Sequence, residues 1–388
     1  MKRNQEGFKT REVHAGVSPD PVTGAILTPI YQSTTFVQES VENYMSKGYS
    51  YSRSGNPTVV ALEKRINSLE GGVGAACFAT GMAATSAVMM ALLNQGEHAI
   101  CSDVVYGGTH RLSTRVLSRF GVEYSFIDTA DAQAVKAAIK PNTKLIFTET
   151  PANPTLKLTD IAAVSAVAKA AGIPHAVDNT FLTPYYQRPL ELGADVVVHS
   201  TTKYMDGHNS TVGGAIVAAD QGQLEAIQFV RNCLGSNMSP QVAFYTLQGC
   251  KTMSTRLDAQ SANAMKVAQF LETHPMVEEV RYPGLKSFPQ YDLACQQASG
   301  FGAMMWFEVK GGVESGKKLM NTLELWSLAE NLGAVESLVT HSVTMTHADM
   351  DPAERQRVGI TDGLVRLSVG LEDPIDLIAD LRQALDAL

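Results

Sequence analysis

The residue best suited to catalysis is Lys203, which lies in the segment HSTTKY at the end of an almost entirely apolar strand. A lysine near buried surface loses its proton more easily than an exposed one, and the free amine can form an imine. Ser200, Thr201 and Thr202 precede it, and their hydroxyl groups can bind a phosphate. An exposed loop lysine would fit the same pattern, so this interpretation needs partners elsewhere in the chain.

Three other segments offer such partners, each at the end of an apolar run. Asp178 could keep a pyridine nitrogen protonated, as an electron-withdrawing cofactor requires. The turn at residues 79–82 could bind a phosphate through backbone N–H groups and a helix dipole. Tyr106, followed by two glycines, could cover a cofactor ring. Each of the three is also typical of an ordinary cap or turn. In one parallel sheet, however, successive strand ends would bring all three together with Lys203.

The elements that must position these residues are short apolar runs alternating with helical patterns. Strands are predicted at residues 75–79, 98–101, 144–149, 174–180, 195–200 and 213–219, and helices at 57–71, 83–93 and 160–171. This alternation predicts an α/β fold with a largely parallel sheet covered on both faces. Residues 71–96 carry no charge, but their glycines and hydroxyls favour a strand, a turn and a buried helix over a membrane span.

Three regions follow from the change of pattern along the chain. Residues 1–55 are rich in Pro, Gly, Ser and Thr and predict an extended arm, and residues 56–245 form the large domain. Residues 246–388 predict a smaller C-terminal domain with a long helix at 252–271, a strand in AMMWFEVKG and a closing helix that begins at Asp373 and Pro374.

Composition limits the classes of partner. The 388 residues are 45% hydrophobic with a net charge of -8, so we expect no basic face for nucleic acid or membrane and favour a small-molecule ligand. The N-terminus lacks the apolar segment of a signal peptide, which favours a cytoplasmic location. The five cysteines have no metal-binding spacing, and we expect free buried thiols and no metal.

Seven motifs occur in the order YSRSGNPT, ATGMAA, VYGGTHR, ETPANPT, VDNTF, HSTTKY and ITDGLVRLSVGLED. Together they resemble the Cys/Met-metabolism family of pyridoxal-phosphate enzymes, which includes cystathionine γ-synthases, cystathionine γ- and β-lyases, methionine γ-lyases and O-acylhomoserine sulfhydrylases. The resemblance runs over residues 10–381. It implies pyridoxal 5'-phosphate as cofactor and the fold-type-I, aspartate-aminotransferase-like architecture, with a large, mostly parallel α/β domain and a smaller C-terminal α/β domain.

The resemblance also implies a role for each cofactor-binding residue. Lys203 would hold the cofactor as a Schiff base, Asp178 would pair with its pyridine nitrogen, and Tyr106 would stack on its ring. The remaining contacts would come from Gly81, Met82, Ser200 and Thr202 at the phosphate, Thr180 beside the cofactor, and Tyr51 and Arg53 of a neighbouring chain at the same phosphate. A site shared in this way implies a homotetramer built as a pair of dimers, with the arm contacting a neighbour.

On the substrate side, the resemblance assigns Asn153 and Arg366 to the substrate carboxylate, Arg366 by the two-pronged pairing of a guanidinium. Thr346 would line the substrate pocket. The freed Lys203 would take the Cα proton and move it to neighbouring carbons. Tyr106 would give a proton to the departing thiol.

The choice of reaction depends on a few positions. Glu330, in SLAENLG, matches the glutamate that can bind the distal ammonium of cystathionine in γ-lyases and γ-synthases, and Arg111 follows the same pattern. Gly108 stands where methionine γ-lyases carry a cysteine, and the aromatic residue that β-lyases carry at position 330 is missing. We therefore expect γ-elimination of cystathionine to cysteine, 2-oxobutyrate and ammonia.

Several alternatives stay open at this point. γ-Replacement by a cystathionine γ-synthase or an O-acylhomoserine sulfhydrylase is the nearest, followed by methionine γ-lyase and cystathionine β-lyase activity. Glu330 and Arg111 could be an exposed ion pair, and Arg53 and Arg366 surface residues. A nicotinamide-dependent oxidoreductase would need a G-x-G-x-x-G turn, which is missing, and a cofactor-binding module without activity would keep only the fold. The departures from the family pattern are Ser50, Asn331 and Asn209.

Overall fold

Seven mostly buried strands form the larger sheet of the computed structural model, which describes residues 6–345, 348 and 351–388. They are β1 (Gly74–Phe78), β2 (His98–Ser102), β3 (Glu123–Ile127), β4 (Thr143–Glu149), β5 (His175–Asp178), β6 (Val196–Ser200) and β7 (Gly214–Ala218). Their order is β1-β7-β6-β5-β4-β2-β3, and β7 runs antiparallel to both neighbours while the other pairs are parallel. A mostly parallel sheet places its functional side chains at the carboxyl ends of the strands.

Helices precede, connect and follow these strands. They are α1 (Phe8–His14), α2 (Pro57–Glu70), α3 (Gly81–Leu92), α4 (Gly107–Arg111), α5 (Ala132–Ala137), α6 (Ile161–Ala171), α7 (Thr183–Tyr186), α8 (Gln221–Leu234) and α9 (Pro240–Cys250). A π-helical turn (Leu112–Val116) and two 3₁₀ turns (Leu117–Phe120 and Pro189–Leu192) complete this region. The boundaries of α2 have local causes: the Asn56 side chain accepts from the Thr58 N–H, and Gly71 ends the helix at a φ of 87°.

A second sheet follows, with strands β8 (Val277–Arg281), β9 (Met304–Val309), β10 (Ser327–Leu328), β11 (Leu338–His341) and β12 (Leu364–Ser368). Its order is β10-β11-β12-β9-β8, and only the β10–β11 pair is parallel. The helices of this part are α10 (Met253–Glu272), α11 (Tyr291–Gln297), α12 (Gly312–Thr322), α13 (Pro352–Arg357) and α14 (Pro374–Asp386). Every residue of β12 is buried, including its arginine.

The predicted α/β architecture is confirmed, including the strand, turn and helix expected within residues 71–96. Among the described residues, no helix has the length and apolarity needed to cross a membrane. The expectation of buried thiols is wrong for two of the five free cysteines, because Cys233 and Cys295 are exposed. The boundaries predicted at residues 55 and 245 stay a prediction.

The arm differs from the expected extended chain, because its start forms α1. The carboxylate of Glu12, which is buried, accepts from the backbone N–H of Ser254 at 2.6 Å and from its hydroxyl at 2.5 Å. The guanidinium of Arg65 donates to the carbonyls of Val13 and Ala15. Contacts with residues distant in the sequence thus stabilise a helix that the local sequence does not predict.

Candidate active site

A cavity of about 310 Å³ lies at the carboxyl ends of β4, β5 and β6, between the start of α3 and β12. It brings together most of the residues singled out from the sequence. These are Gly81, Met82, Tyr106, Arg111, Asn153, Asp178, Thr180, Ser200, Thr202, Lys203, Glu330 and Arg366. Tyr51 and Arg53 do not line it, and Thr346 lies outside the described residues.

Lys203 lies in the turn that follows β6, and its amine donates to Oδ1 of Asn331 at 2.5 Å. Burial, and after it the positive charge of Arg366, lowers the pKa of Lys203 from 10.5 to about 8. Such an amine is uncharged in a substantial fraction of molecules near neutral pH. Lys203 can therefore act as a nucleophile or as a base.

Asp178 ends β5, and its carboxylate is held by the next turn of the chain. Its Oδ1 accepts from the Thr180 hydroxyl at 2.5 Å and from the Thr180 N–H at 3.0 Å. The same hydroxyl accepts from the Ser200 N–H at 2.9 Å, so Thr180 ties β5 to β6. Burial raises the pKa of Asp178. A cationic ring nitrogen beside this carboxylate would relieve the unfavourable burial of its charge.

The start of α3 offers an anion-binding surface. The backbone N–H groups of Gly81 and Met82 belong to the first helical turn, where no intrahelical acceptor exists, and the helix dipole is positive there. A Cβ atom on Gly81 would lie 2.8 Å from the Cβ of Ser200, so glycine permits the close approach of the two segments. Thr202 also lines the cavity, but its hydroxyl already donates to the Gly213 carbonyl at 3.2 Å. The N–H groups and the Ser200 hydroxyl are therefore more available to an anion than the Thr202 hydroxyl.

Glu149, the last residue of β4, is a cavity residue that the sequence interpretation did not single out. One carboxylate oxygen accepts from the backbone N–H of Tyr106 at 2.7 Å, and the other from that of Asn153 at 2.9 Å. Burial, with the neighbouring charge of Asp178, raises the pKa of Glu149 to about 8. The signal was present, because Glu149 ends an apolar strand just as Asp178 does.

Arg366 projects from the centre of β12 into the cavity and is only 4% exposed. Its Nη1 donates to Oδ1 of Asn153 at 2.9 Å, and its Nη2 donates to the backbone carbonyl of Asn331 at 3.2 Å. Nε has no partner among the described residues. Burial lowers the pKa of Arg366 to about 10, and the nearby charge of Glu330 opposes that shift. A buried guanidinium with donor capacity left over suits a carboxylate ligand.

Glu330 and Arg111 line the outer part of the cavity, and both are exposed. Glu330 lies in the loop after β10, and Arg111 ends α4. Within the described part of the chain, no ion pair joins the two side chains. This argues against the alternative that they form an exposed ion pair with each other. The cavity mouth therefore offers one negative and one positive group.

Tyr51 and Arg53 lie at the surface of their own chain, away from the cavity. Arg53 Nη1 donates to the backbone carbonyl and to Oδ1 of Asn232 at 2.9 and 3.0 Å. Its guanidinium lies 5.6 Å from the ring centre of Tyr51, which is 47% exposed. Their predicted role at a neighbouring chain's phosphate stays a prediction.

The site combines a lysine of lowered pKa with a carboxylate and an anion site at adjacent strand ends of a mostly parallel α/β sheet. This combination is typical of a lysine-dependent enzyme with a phosphorylated cofactor. The chain belongs to the Cys/Met metabolism PLP-dependent enzyme family, which it matches over residues 9–386. This family relation confirms the resemblance found in the sequence motifs, and it makes the chain a PLP-dependent enzyme.

Relatives of several activities are similar to the chain over nearly its whole length. Identity is 47% with a cystathionine γ-lyase of Bacillus subtilis, covering 97% of this chain and 99% of that protein. It is 45% with an L-methionine γ-lyase of Treponema denticola, covering 98% and 97%. The crystal structure of metB from Corynebacterium glutamicum superimposes with a TM-score of 0.96 at 45% identity, over 100% of both chains. These relatives bear the names of more than one activity within the family.

The residues present fit pyridoxal 5'-phosphate. The cavity contains an amine that can react with an aldehyde, a buried carboxylate suited to a pyridinium nitrogen, and free N–H groups at a helix start suited to a phosphate. Glycine at position 81 leaves the helix start open, because a Cβ there would also come within 2.9 Å of the Ser200 hydroxyl.

Proposed function

We propose that this enzyme catalyses γ-elimination on cystathionine, releasing cysteine, 2-oxobutyrate and ammonia. The observation that carries the proposal is the distribution of charge in the cavity. Arg366 and Lys203 lie at its inner end, and Glu330 and Arg111 lie at its mouth. Cystathionine carries an amino-acid group at each end, so its α-carboxylate would meet Arg366 and its distal ammonium and carboxylate would meet Glu330 and Arg111.

At the inner end, Arg366 and Asn153 would bind the α-carboxylate of the substrate. Both side chains are buried, and the hydrogen bond between them orients the guanidinium. The α-carbon would then lie near the amine of Lys203. A carboxylate held by a planar guanidinium is fixed in direction as well as position, which selects one Cα–H bond for removal.

At the mouth, Glu330 would bind the distal ammonium of cystathionine and Arg111 the distal carboxylate. Both groups are exposed and partly screened by water, so they would affect which substrate binds more than the rate of the chemical step. Methionine ends in an uncharged S-methyl group and would leave both unpaired. This difference favours cystathionine over methionine.

Bound pyridoxal phosphate supplies an electron sink that makes the Cα–H and Cγ–S bonds breakable. Lys203 would hold the cofactor in the resting enzyme, and Asp178 would hold a proton on its ring nitrogen. The amine of Lys203, once released by the substrate amine, would take the Cα proton and return it to a neighbouring carbon. Tyr106, which is 48% exposed at the cavity wall, would provide the proton that the leaving thiolate needs.

γ-Replacement is the second candidate, because contacts that bind cystathionine as a substrate would also bind it as a product. In that reaction the cysteine thiol would form a bond to Cγ of an O-acylhomoserine, and the Cγ–O bond would break to release the acyloxy group as a carboxylate. The similarity to a protein named cystathionine γ-lyase supports elimination as the first candidate.

The deciding experiment compares three reactions with one preparation: cystathionine alone, methionine alone, and O-acylhomoserine with cysteine. We expect the highest kcat/KM with cystathionine, with 2-oxobutyrate as the keto-acid product. Pyruvate as the main product would instead identify β-elimination, and a higher kcat/KM for O-acylhomoserine with cysteine would overturn the elimination proposal.

The substitution Glu330→Gln tests the charge argument separately. It should raise KM for cystathionine by about two- to fivefold, as expected for one exposed charge pair, and leave KM for methionine unchanged, because only cystathionine has a distal ammonium. The matched control is Glu324→Gln, an exposed glutamate that does not line the cavity. An equal change for both substrates would contradict the assignment of Glu330.

We also infer that Tyr51 and Arg53 complete the phosphate site of a neighbouring chain, in a homotetramer of paired dimers. Both side chains lie outside their own cavity. The arm around them leaves large apolar side chains exposed, among them Val22 at 90%, Val37 at 89% and Val41 at 89%. Apolar surface of this kind is typical of an interface between chains. The cytoplasmic location stays a prediction.

A further inference from the structure

Two asparagines that depart from the family pattern, Asn331 and Asn209, are hydrogen-bonded to each other beside Lys203. The amine of Lys203 donates to Oδ1 of Asn331 at 2.5 Å, and Nδ2 of Asn331 donates to Oδ1 of Asn209. Nδ2 of Asn209 then donates to Oε2 of Glu336 at 2.8 Å. These residues form a continuous hydrogen-bond chain from the cavity to the protein surface.

The chemistry of the two ends fixes the direction of this chain. An ammonium group can only donate, and an ionised carboxylate can only accept. Each amide between Lys203 and Glu336 therefore has one orientation that satisfies both of its neighbours. With that orientation, Asn331 presents its oxygen to the lysine. A flipped amide would direct its NH₂ group at the ammonium and repel it.

The backbone supports the placement of Asn209. Its φ of 53° lies in the left-handed region, which asparagine tolerates better than most residues that have a Cβ atom. Asn331 is tied down a second time, because its backbone carbonyl accepts from Nη2 of Arg366 at 3.2 Å. The same residue thus contacts the lysine and the arginine on which the proposed reaction depends.

We propose that Asn209 is a positioning residue that acts on Lys203 through Asn331. It fixes the orientation of the Asn331 amide and thereby holds the released amine at the side of the cavity nearest Arg366. Asn209 does not line the cavity, so its effect on Lys203 is indirect. The inference uses the proposed role of Lys203 as a base, but the contacts themselves do not depend on the identity of the substrate.

Several charged groups share the cavity with Lys203. They are Arg111, Glu149, Asp178, Glu330 and Arg366, together with the phenol of Tyr106. Arg366 disfavours the ammonium form, whereas the Asn331 oxygen favours it. Substitutions that leave all of these charges in place isolate the contribution of the two amides.

The test is a double-mutant cycle of Asn331→Ala and Asn209→Ala in the full-length chain. The pKa of Lys203 is measured in cofactor-free protein from the pH dependence of its acetylation, followed by mass spectrometry. Asn331→Ala should lower this pKa by about one unit, because a hydrogen bond to a charged group is lost. Asn209→Ala should lower it by about half a unit alone and have no effect in the Asn331→Ala background.

Steady-state kinetics of the holoenzyme give the second readout. The acidic limb of the kcat profile should move to lower pH in each single variant, by the shift that acetylation gives, while KM changes by less than about twofold. The matched control is Asn94→Ala, because Asn94 also donates to a glutamate, Glu97, at the amino end of β2 far from the cavity. This variant should leave both profiles unchanged.

Two results would overturn the proposal. One is an Asn209→Ala variant with an unaltered acetylation profile, and the other is an equal shift in the wild-type and Asn331→Ala backgrounds. If Asn331→Ala does not fold, Asn331→Ser replaces it, because a serine side chain is too short to span the distance to Asn209. The acetylation readout needs no substrate, so it stays informative even if cystathionine is not turned over.

Discussion

Replacing Glu149 by glutamine tests whether one buried carboxylate positions both the proposed ring-stacking residue and the proposed carboxylate-binding residue. Glu149 is 6% exposed, and its two oxygens accept from the backbone N–H groups of Tyr106 and Asn153 at 2.7 and 2.9 Å. Glutamine has nearly the same shape but only one accepting oxygen. Its NH₂ group must face one of the two N–H donors, which is then buried without an acceptor.

A buried donor without an acceptor costs about 1–3 kcal/mol. The chain can reduce this cost only by moving Tyr106 or Asn153, and either movement alters the cavity. If about 2 kcal/mol of the cost falls on the transition state, kcat/KM decreases by roughly thirtyfold. Below pH 4.5, where Glu149 is protonated in both the folded and the unfolded chain, the unfolding free energy should decrease by an amount of the same order.

The matched control for this substitution is Glu12→Gln. Glu12 is also buried and also accepts from a backbone N–H, that of Ser254, but it lies outside the cavity. We expect both variants to unfold at lower denaturant concentration below pH 4.5, where both carboxyl groups are protonated, and only Glu149→Gln to lose kcat/KM. If the two variants lose stability equally and both keep wild-type kinetics, the positioning role of Glu149 is wrong.

Four other predictions follow from the same cavity. Lys203→Met should abolish turnover and the visible absorbance of the bound cofactor; an unchanged spectrum would contradict the assignment of the lysine. Burial raises the pKa of Glu149 from 4.5 to about 8, so the stability that Glu149 contributes to the cofactor-free chain is present below pH 4.5 and is lost as the pH rises to 8. The unfolding free energy of Glu149→Gln, measured by urea titration, should therefore depend less on pH between 4.5 and 8 than that of the wild type. Arg366→Lys should raise KM by at least about tenfold with a smaller change in kcat, since a point charge cannot replace its two directed contacts. Arg53→Ala should weaken cofactor retention on dialysis, whereas Asn232→Ala, which removes a contact within the same chain, should not.

The cofactor side of the cavity could be predicted because its signals are local. Lys203, Asp178 and the helix start at Gly81 each follow an apolar strand, and parallel strands bring their carboxyl ends to one edge. Glu149 also ends an apolar strand, but its role as acceptor for the backbone N–H groups of Tyr106 and Asn153 depends on contacts that only the fold creates.

Other features could not be predicted, because they depend on residues far apart in the sequence. Asn331 and Asn209 are 122 positions apart, and Glu12 and Ser254 are 242 positions apart. Neither pair produces a periodicity or a local motif. Without the fold, the two asparagines are only departures from the family pattern, and the composition of the arm predicts extended chain although its start forms α1.

The cavity residues that would face the cofactor and those that would face the substrate differ in part in their origin. Gly81, Asp178 and Lys203 all belong to the first sheet and its connections. Of the proposed substrate contacts, Asn153 and Arg111 also belong to connections of the first sheet, whereas Arg366 and the loop carrying Glu330 belong to the second sheet. A change in the second sheet can therefore alter the groups that face the substrate without disturbing those that face the cofactor. Proteins 43–47% identical to this chain bear the names of different lyases, and the groups from the second sheet are the ones in which such a difference can arise without altering Lys203 or Asp178.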